Sequence, residues 1–132
     1  MSRIEDKKKQ IQKFVEELSP EIPEDLKKYE SNPVVRAVCE RYFEKIIESV
    51  FDLAFIFIKE KEMELPEGDD FVMSALAKEK IISSTLADRL DDARRMRNVI
   101  VHLYGEIDDA KVFYAVRNEL LRDIEEFLEA VQ

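Results

Sequence analysis

A chain of 132 residues with one cysteine, two glycines, four prolines and no tryptophan can build one hydrophobic core, but it has no intrachain disulfide and little material for tight hairpins. Thirty acidic against twenty-one basic residues leave a net charge of −9, which opposes broad coating of nucleic acid while leaving room for a small, locally basic cleft. With 39% charged residues over a helix-forming alphabet, the expected class is all-α, as one domain over residues 1–132.

Residues 2–18 carry Ile4, Ile11, Phe14, Val15 and Leu18 at helical spacing, and Ser19-Pro20 ends this amphipathic helix. The amino terminus has no apolar signal region, and the longest apolar run, residues 53–58, is far short of the roughly 20 residues a bilayer requires. A cytoplasmic location and no membrane partner are therefore expected. Pro23 opens one or two turns reaching Tyr29, with Leu26 inward. Asn32-Pro33 joins a capping side chain to a proline whose missing N–H costs nothing at a helix start. From there to about residue 62 nothing interrupts a helix about 45 Å long. Its stripe of Val34, Val35, Val38, Tyr42, Phe43, Ile46, Ile47 and Val50 broadens from Phe51 to Ile58 until most of the circumference is apolar, which demands cover from the chain or from a second subunit. Cys39 reads as a small buried filler. Asp52 lies inside the apolar zone. Either it orients Arg97 or His102 across a helix interface, or it sits in a narrow solvent gap.

Leu65-Pro66-Glu67-Gly68 is the clearest break, with Asp69 or Asp70 expected to cap a short helix that turns Phe71, Met73, Leu76 and Ala77 inward. Ser83-Ser84 caps the next helix, which carries Leu86, Leu90, Ala93, Arg97 and Val101 at steps of three and four. Asp108 or Asp109 opens the last, whose Phe113, Val116, Leu120, Ile124, Phe127 and Val131 follow the same steps. The architecture expected is a bundle of four main helices with a fifth, short one after Pro66.

The stretch from Arg94 to Tyr104 gathers Arg94, Arg95, Arg97, Asn98, Tyr104 and the only histidine, His102, among apolar neighbours. On a helix, Asn98 and His102 share a face, and Arg97 and Tyr104 align to within about 20°. Arg97 and His102 diverge by about 140° if the helix is unbroken. Either the helix ends near His102, with Gly105 as terminator, or a second copy of the motif completes the site. The set suits phosphodiester cleavage without a metal. Imidazole gives and takes a proton near neutrality, and guanidinium is forked to match phosphate oxygens. Asn98 could hold the imidazole or a ribose hydroxyl. Composition alone has a plainer account, since a lone histidine near a helix end is more often a cap or a packing residue and an Arg-rich turn a solvated face.

The run Arg97-Asn98-Val99-Ile100-Val101-His102-Leu103-Tyr104 resembles the Arg-x4-His-x-Tyr motif of HepT-like proteins, the HEPN-domain toxins of HEPN and minimal-nucleotidyltransferase modules. The following Gly105-Glu106-Ile107-Asp108 and Val112-Phe113-Tyr114 are similar to that family's register too, and the resemblance runs through the whole chain. It implies a HEPN-type four-to-five-helix bundle in a symmetric homodimer that brings two motifs into one cleft. It further implies a metal-independent endoribonuclease with Arg97 and His102 catalytic and Asn98 and Asp52 supporting. Tyr104 would be silenced by AMP transfer from a partner nucleotidyltransferase antitoxin. RNA is the substrate so implied, with no DNA, no cofactor and no metal; Asp91-Asp92 and Asp108-Asp109 read as surface and cap. The rival reading is a non-catalytic helical subunit that docks a nucleotidyltransferase, for which the grouping of Arg97, Asn98 and His102 would have no use.

Overall fold

The Asn32 carboxamide oxygen accepts from the backbone N–H groups of Val34 and Val35, both at 3.1 Å, and from this cap α3 (Pro33–Glu60) runs as the central rod. The computed structural model describes residues 2–132; Met1, within the terminus read above for a signal region, lies outside them. Along α3 lies α1 (Arg3–Leu18), capped by Ser2, whose Ile4, Ile11 and Leu18 are buried against it. The α2 turn (Leu26–Glu30) starts later than Pro23 suggests, because the Asp25 carboxylate takes the Lys28 N–H at 2.8 Å and so fixes the cap. It delivers Tyr29, fully buried, 5.4 Å from the Phe113 ring.

α4 (Asp69–Lys78) packs on α3 and α5 (Ser84–His102). Its N-cap is Gly68, with Asp69 and Asp70 in the first turn rather than capping it. The inward face differs by one residue from the sequence reading: Val72, Met73 and Leu76 are buried and Phe71 is exposed. α5 is capped by Ser83, whose hydroxyl accepts from Leu86 N at 3.0 Å.

The last helix starts where Asp108 caps Lys111 N, but it is not uniform. α6 (Asp109–Tyr114) passes through a π segment over Ala115–Leu120 into α7 (Leu121–Ala130). Every apolar position read on it, from Phe113 to Val131, is buried. Four long rods, the short α4 and the single turn of α2 make an all-α bundle, with no strand among the described residues. The chain itself covers most of the broad apolar zone of α3. Phe51, Leu53, Ala54, Phe57 and Ile58 are buried, Phe55 and Ile56 are half-buried, and Asp52 faces solvent. Val34 is the outlier of the stripe, 70% exposed at the first turn. Cys39 is fully buried, and burial first, then Glu21 and Glu40, push its thiol up to about 11. No helix among the described residues is long and apolar enough to cross a membrane.

Helices α3 and α4 both end with a residue in the left-handed region, Glu62 at φ 56° and Lys80 at φ 59°. Each is a Schellman closure: Met63 N–H reaches Ile58 C=O and Ile81 N–H reaches Leu76 C=O, both at 3.0 Å. Neither Glu62 nor Lys80 is a glycine, so both closures carry a Cβ penalty.

Candidate functional site

Helix α5 builds the site because its two halves face different surroundings. Leu86, Ala87 and Leu90 bind the first half to the core, and Ile100 alone of the last two turns is buried. Val101, read as an inward position, is 37% exposed, since Ile100 takes the core-facing place. The helix is unbroken from Arg97 to His102 and stops there, so the five-residue separation keeps its angular divergence within one chain.

Gly105 does not end the helix. Leu103 is the C-cap, at φ −126° and ψ 49°, and Gly105 lies inside a 3-10 turn, Tyr104–Glu106, with open space around it. The non-helical backbone at Leu103 also takes Tyr104 off α5, so the seven-residue alignment of Tyr104 with Arg97 does not carry over. Tyr104 is 71% exposed and Leu103 50%, and His102 is exposed as well.

Arg97 instead lines an open groove of about 320 Å³ between α3, α5 and the start of α4, walled by Ile47, Glu48, Phe51, Asp52, Phe55, Asp69 and Arg94. Neither His102 nor Tyr104 lines it. The Arg97 Nη2 donates to the Glu48 carboxylate, and Nη1 donates to the Asn98 Oδ1 at 2.9 Å. Its Nε is buried with no hydrogen-bond partner. Asn98, read as a candidate imidazole holder, thus spends its carbonyl on the arginine. The carboxylate on Arg97 is Glu48, not Asp52; Asp52, one turn further along α3, is 64% exposed and 3.7 Å from the Lys7 ammonium. Sequence reasoning missed Glu48 although it lies four residues before Asp52, on the same helical face.

Of the two acidic pairs, Asp108 caps α6 and Asp109 meets Arg36 at 3.7 Å. Asp92 is exposed and pairs with Arg95 at 2.7 Å. Asp91 is half-buried beside Arg94. Burial pushes its carboxyl up while Arg94 and Arg95 pull it back. The groove can therefore receive an anion at Arg97 if Glu48 yields, whereas a proton donor or acceptor at His102 must be brought to that anion from elsewhere.

A family model described as Ribonuclease HepT-like matches residues 4–131. The mRNA nuclease HepT of Shewanella oneidensis is 25% identical over 89 residues, 67% of this chain; the match spans 66% of that relative's length. The fold is similar to that of a tri-AMPylated Shewanella oneidensis HEPN toxin in complex with MNT antitoxin, with a TM-score of 0.89 at 20% identity over 99% of this chain and 98% of that one. It is also similar to YutE, a cytosolic protein of unknown function from Bacillus subtilis, with a TM-score of 0.73 at 17% identity over 93% of this chain and 86% of that one.

Proposed function

This chain belongs to the ribonuclease HepT-like family, and we propose that it is a metal-independent endoribonuclease, the toxin of a HEPN and minimal-nucleotidyltransferase pair, working in the cytoplasm as a symmetric homodimer. The observation that carries the reading is the pairing on one helix of an arginine held only by displaceable acceptors and an exposed histidine five residues on. Because the two diverge within a chain, a two-fold pair of chains sets Arg97 of one protomer against His102 of the other.

In the reaction so read, a ribose 2′-oxygen attacks the adjacent phosphorus and loses its proton, and the bond to the 5′-oxygen breaks. The 5′-oxygen leaves with a proton. The products are a 2′,3′-cyclic phosphate and a 5′-hydroxyl. His102 moves a proton, Arg97 steadies the charge on the phosphoryl oxygens, Asn98 holds the guanidinium, and Glu48 holds it only until the phosphate displaces that carboxylate. Asp52, on the groove wall one turn from Glu48, is the supporting carboxylate of this reading through its hold on the Lys7 ammonium.

Tyr104 is the proposed switch. Its phenolic oxygen attacks the α-phosphorus of ATP, its proton passes to solvent, and pyrophosphate leaves. Each AMP adds roughly one negative charge and a bulky group two residues from His102, which opposes approach of the RNA backbone to that histidine. The related toxin carrying three AMP groups in complex with an antitoxin, and the 71% exposure of Tyr104, support this.

Purified protein is expected to cut RNA in EDTA, with His102→Ala and Arg97→Ala each about 10²-fold slower or worse. Co-expression with a minimal nucleotidyltransferase is expected to add AMP masses that vanish in Tyr104→Phe and persist in Tyr114→Phe. The second reading, a non-catalytic docking subunit, is favoured by the exposed apolar surface of Val101 and Leu103. No cleavage by the parent would select it, whereas equal cleavage by parent and both variants would mean a contaminant or a different site.

A further inference from the structure

We propose that Arg94 is a second substrate-binding arginine, which takes the RNA phosphate next to the one at Arg97, so that the groove grips two successive phosphates of one strand. This rests on the ribonuclease reading and adds to it a residue outside the Arg-x4-His motif.

Arg94 and Arg97 line the same groove, and three residues apart on α5 their Cβ atoms stand about 5–6 Å from each other. Both are held in the same manner, each by a carboxylate from a neighbouring helix. Arg97 is on Glu48 of α3, and Arg94 Nη2 is 2.8 Å from Asp70 Oδ1 in the first turn of α4. Both acceptors keep contact with water, Asp70 at 71% exposure and the half-buried Glu48 at 41%, and an ion pair to a solvated carboxylate is readily exchanged. The arginines themselves are not; Arg94 is 14% exposed and Arg97 23%. Each retains a buried Nε without a hydrogen-bond partner, and for Arg94 the nearby Asp91 carboxylate stands off at 4.0 Å. An incompletely satisfied guanidinium gains from a phosphate, which offers more acceptor oxygens than one carboxylate edge. Ile47, Phe51 and Phe55 supply an apolar wall, which keeps the exchange in lower dielectric than open water.

The triplet contains its own control. Arg95, between the two, is exposed, pairs with Asp92 and lines a different cleft toward α6. The competing account makes Arg94 only a tether for α4. The two accounts predict opposite signs for Asp70→Asn. A tether lost from either end weakens the groove alike, whereas a phosphate ligand freed of its resident carboxylate binds RNA more tightly.

The experiment measures binding of a short labelled single-stranded RNA to the His102→Ala protein, in which cleavage is slowed about 10²-fold or more, across a range of NaCl. Arg94→Gln in this background is expected to bind about tenfold more weakly at low salt and to lower the slope of log affinity against log salt by about 0.7, one phosphate contact. Arg97→Gln should do likewise, Arg94→Lys should keep the slope, Arg95→Gln should change neither, and Asp70→Asn should tighten binding. If Arg94→Gln and Asp70→Asn weaken binding equally with the slope unchanged, Arg94 is a tether and the inference is overturned. A slope that falls for Arg97→Gln and not for Arg94→Gln overturns it while leaving the ribonuclease reading intact. Failure of the His102→Ala parent and the wild-type protein alike to bind RNA overturns both.

Discussion

The two halves of α5 share one backbone ladder and differ in what they leave unspent. In the first half Leu86, Ala87 and Leu90 are buried and the Ser83 cap is closed, so its side chains are committed to the fold. At the far end Arg97 donates to Asn98 and Glu48 but keeps a buried, unpartnered Nε, while Val101, His102, Leu103 and Tyr104 face solvent. Apolar groups left in water at one helix end forgo the gain of burial, and the exposed ionisable groups beside them add little stability. They are what a surface for a second copy and a substrate requires.

Removing a side chain from each half tests that division. Leu90→Ala should cost about 2–5 kcal/mol in urea unfolding, since it opens a cavity in the core. His102→Ala should leave the midpoint within about 0.5 kcal/mol, because its side chain faces water. A His102 variant that unfolds as readily as Leu90→Ala would erase the contrast.

Converting Val101 and Leu103 together to serine sharpens it from the other side. The fold should change by roughly 1 kcal/mol or less, as for other exposed positions. Light scattering should nevertheless move from twice 15.5 kDa to 15.5 kDa if these side chains seal the proposed homodimer. A parent already at the monomer mass at micromolar concentration would remove the dimer from the mechanism.

The smallest effect lies in the body of the bundle, at Glu40. Burial first, then the Asp109 carboxylate, raise its pKa, and Arg36 pulls it back. A carboxyl with a raised folded value holds its proton better folded than unfolded, so its contribution is fully present below the unfolded value and is lost as pH rises through the folded one. Glu40→Gln removes that loss. It should raise Tm slightly at neutral pH and lose the advantage in acid below the ordinary carboxylate range. Thermal unfolding across that range reads the sign directly.

The long helices and their caps were legible because hydrophobic period and capping chemistry are local. Asn32-Pro33, Ser83 and the Phe113-to-Val131 stripe each correspond to an observed feature. Facing was less legible where helices are short or end: ten residues of α4 give too few turns to distinguish Phe71 from Val72, and Ile100 displaced Val101 where α5 leaves the core. The alignment of Tyr104 with Arg97 assumed a helix continuing to residue 104, whereas α5 ends at His102. Glu48 and Arg94 stayed hidden for another reason. Their meaning depends on which helices are neighbours in space, which neither residue's surroundings in sequence reveal.

The π segment of the last helix has a consequence for length variation in this chain. Its i→i+5 ladder carries one residue more than an α-helical turn needs. Deleting the exposed Asn118 would let an i→i+4 ladder close across the gap while Phe113 and Phe127 keep their faces toward the core. The same deletion within α7 would swing every later side chain by about 100° and bury charge. The segment is therefore the place where this helix can lose a residue at least structural expense, and where chains of this fold can differ in length without changing what they bury.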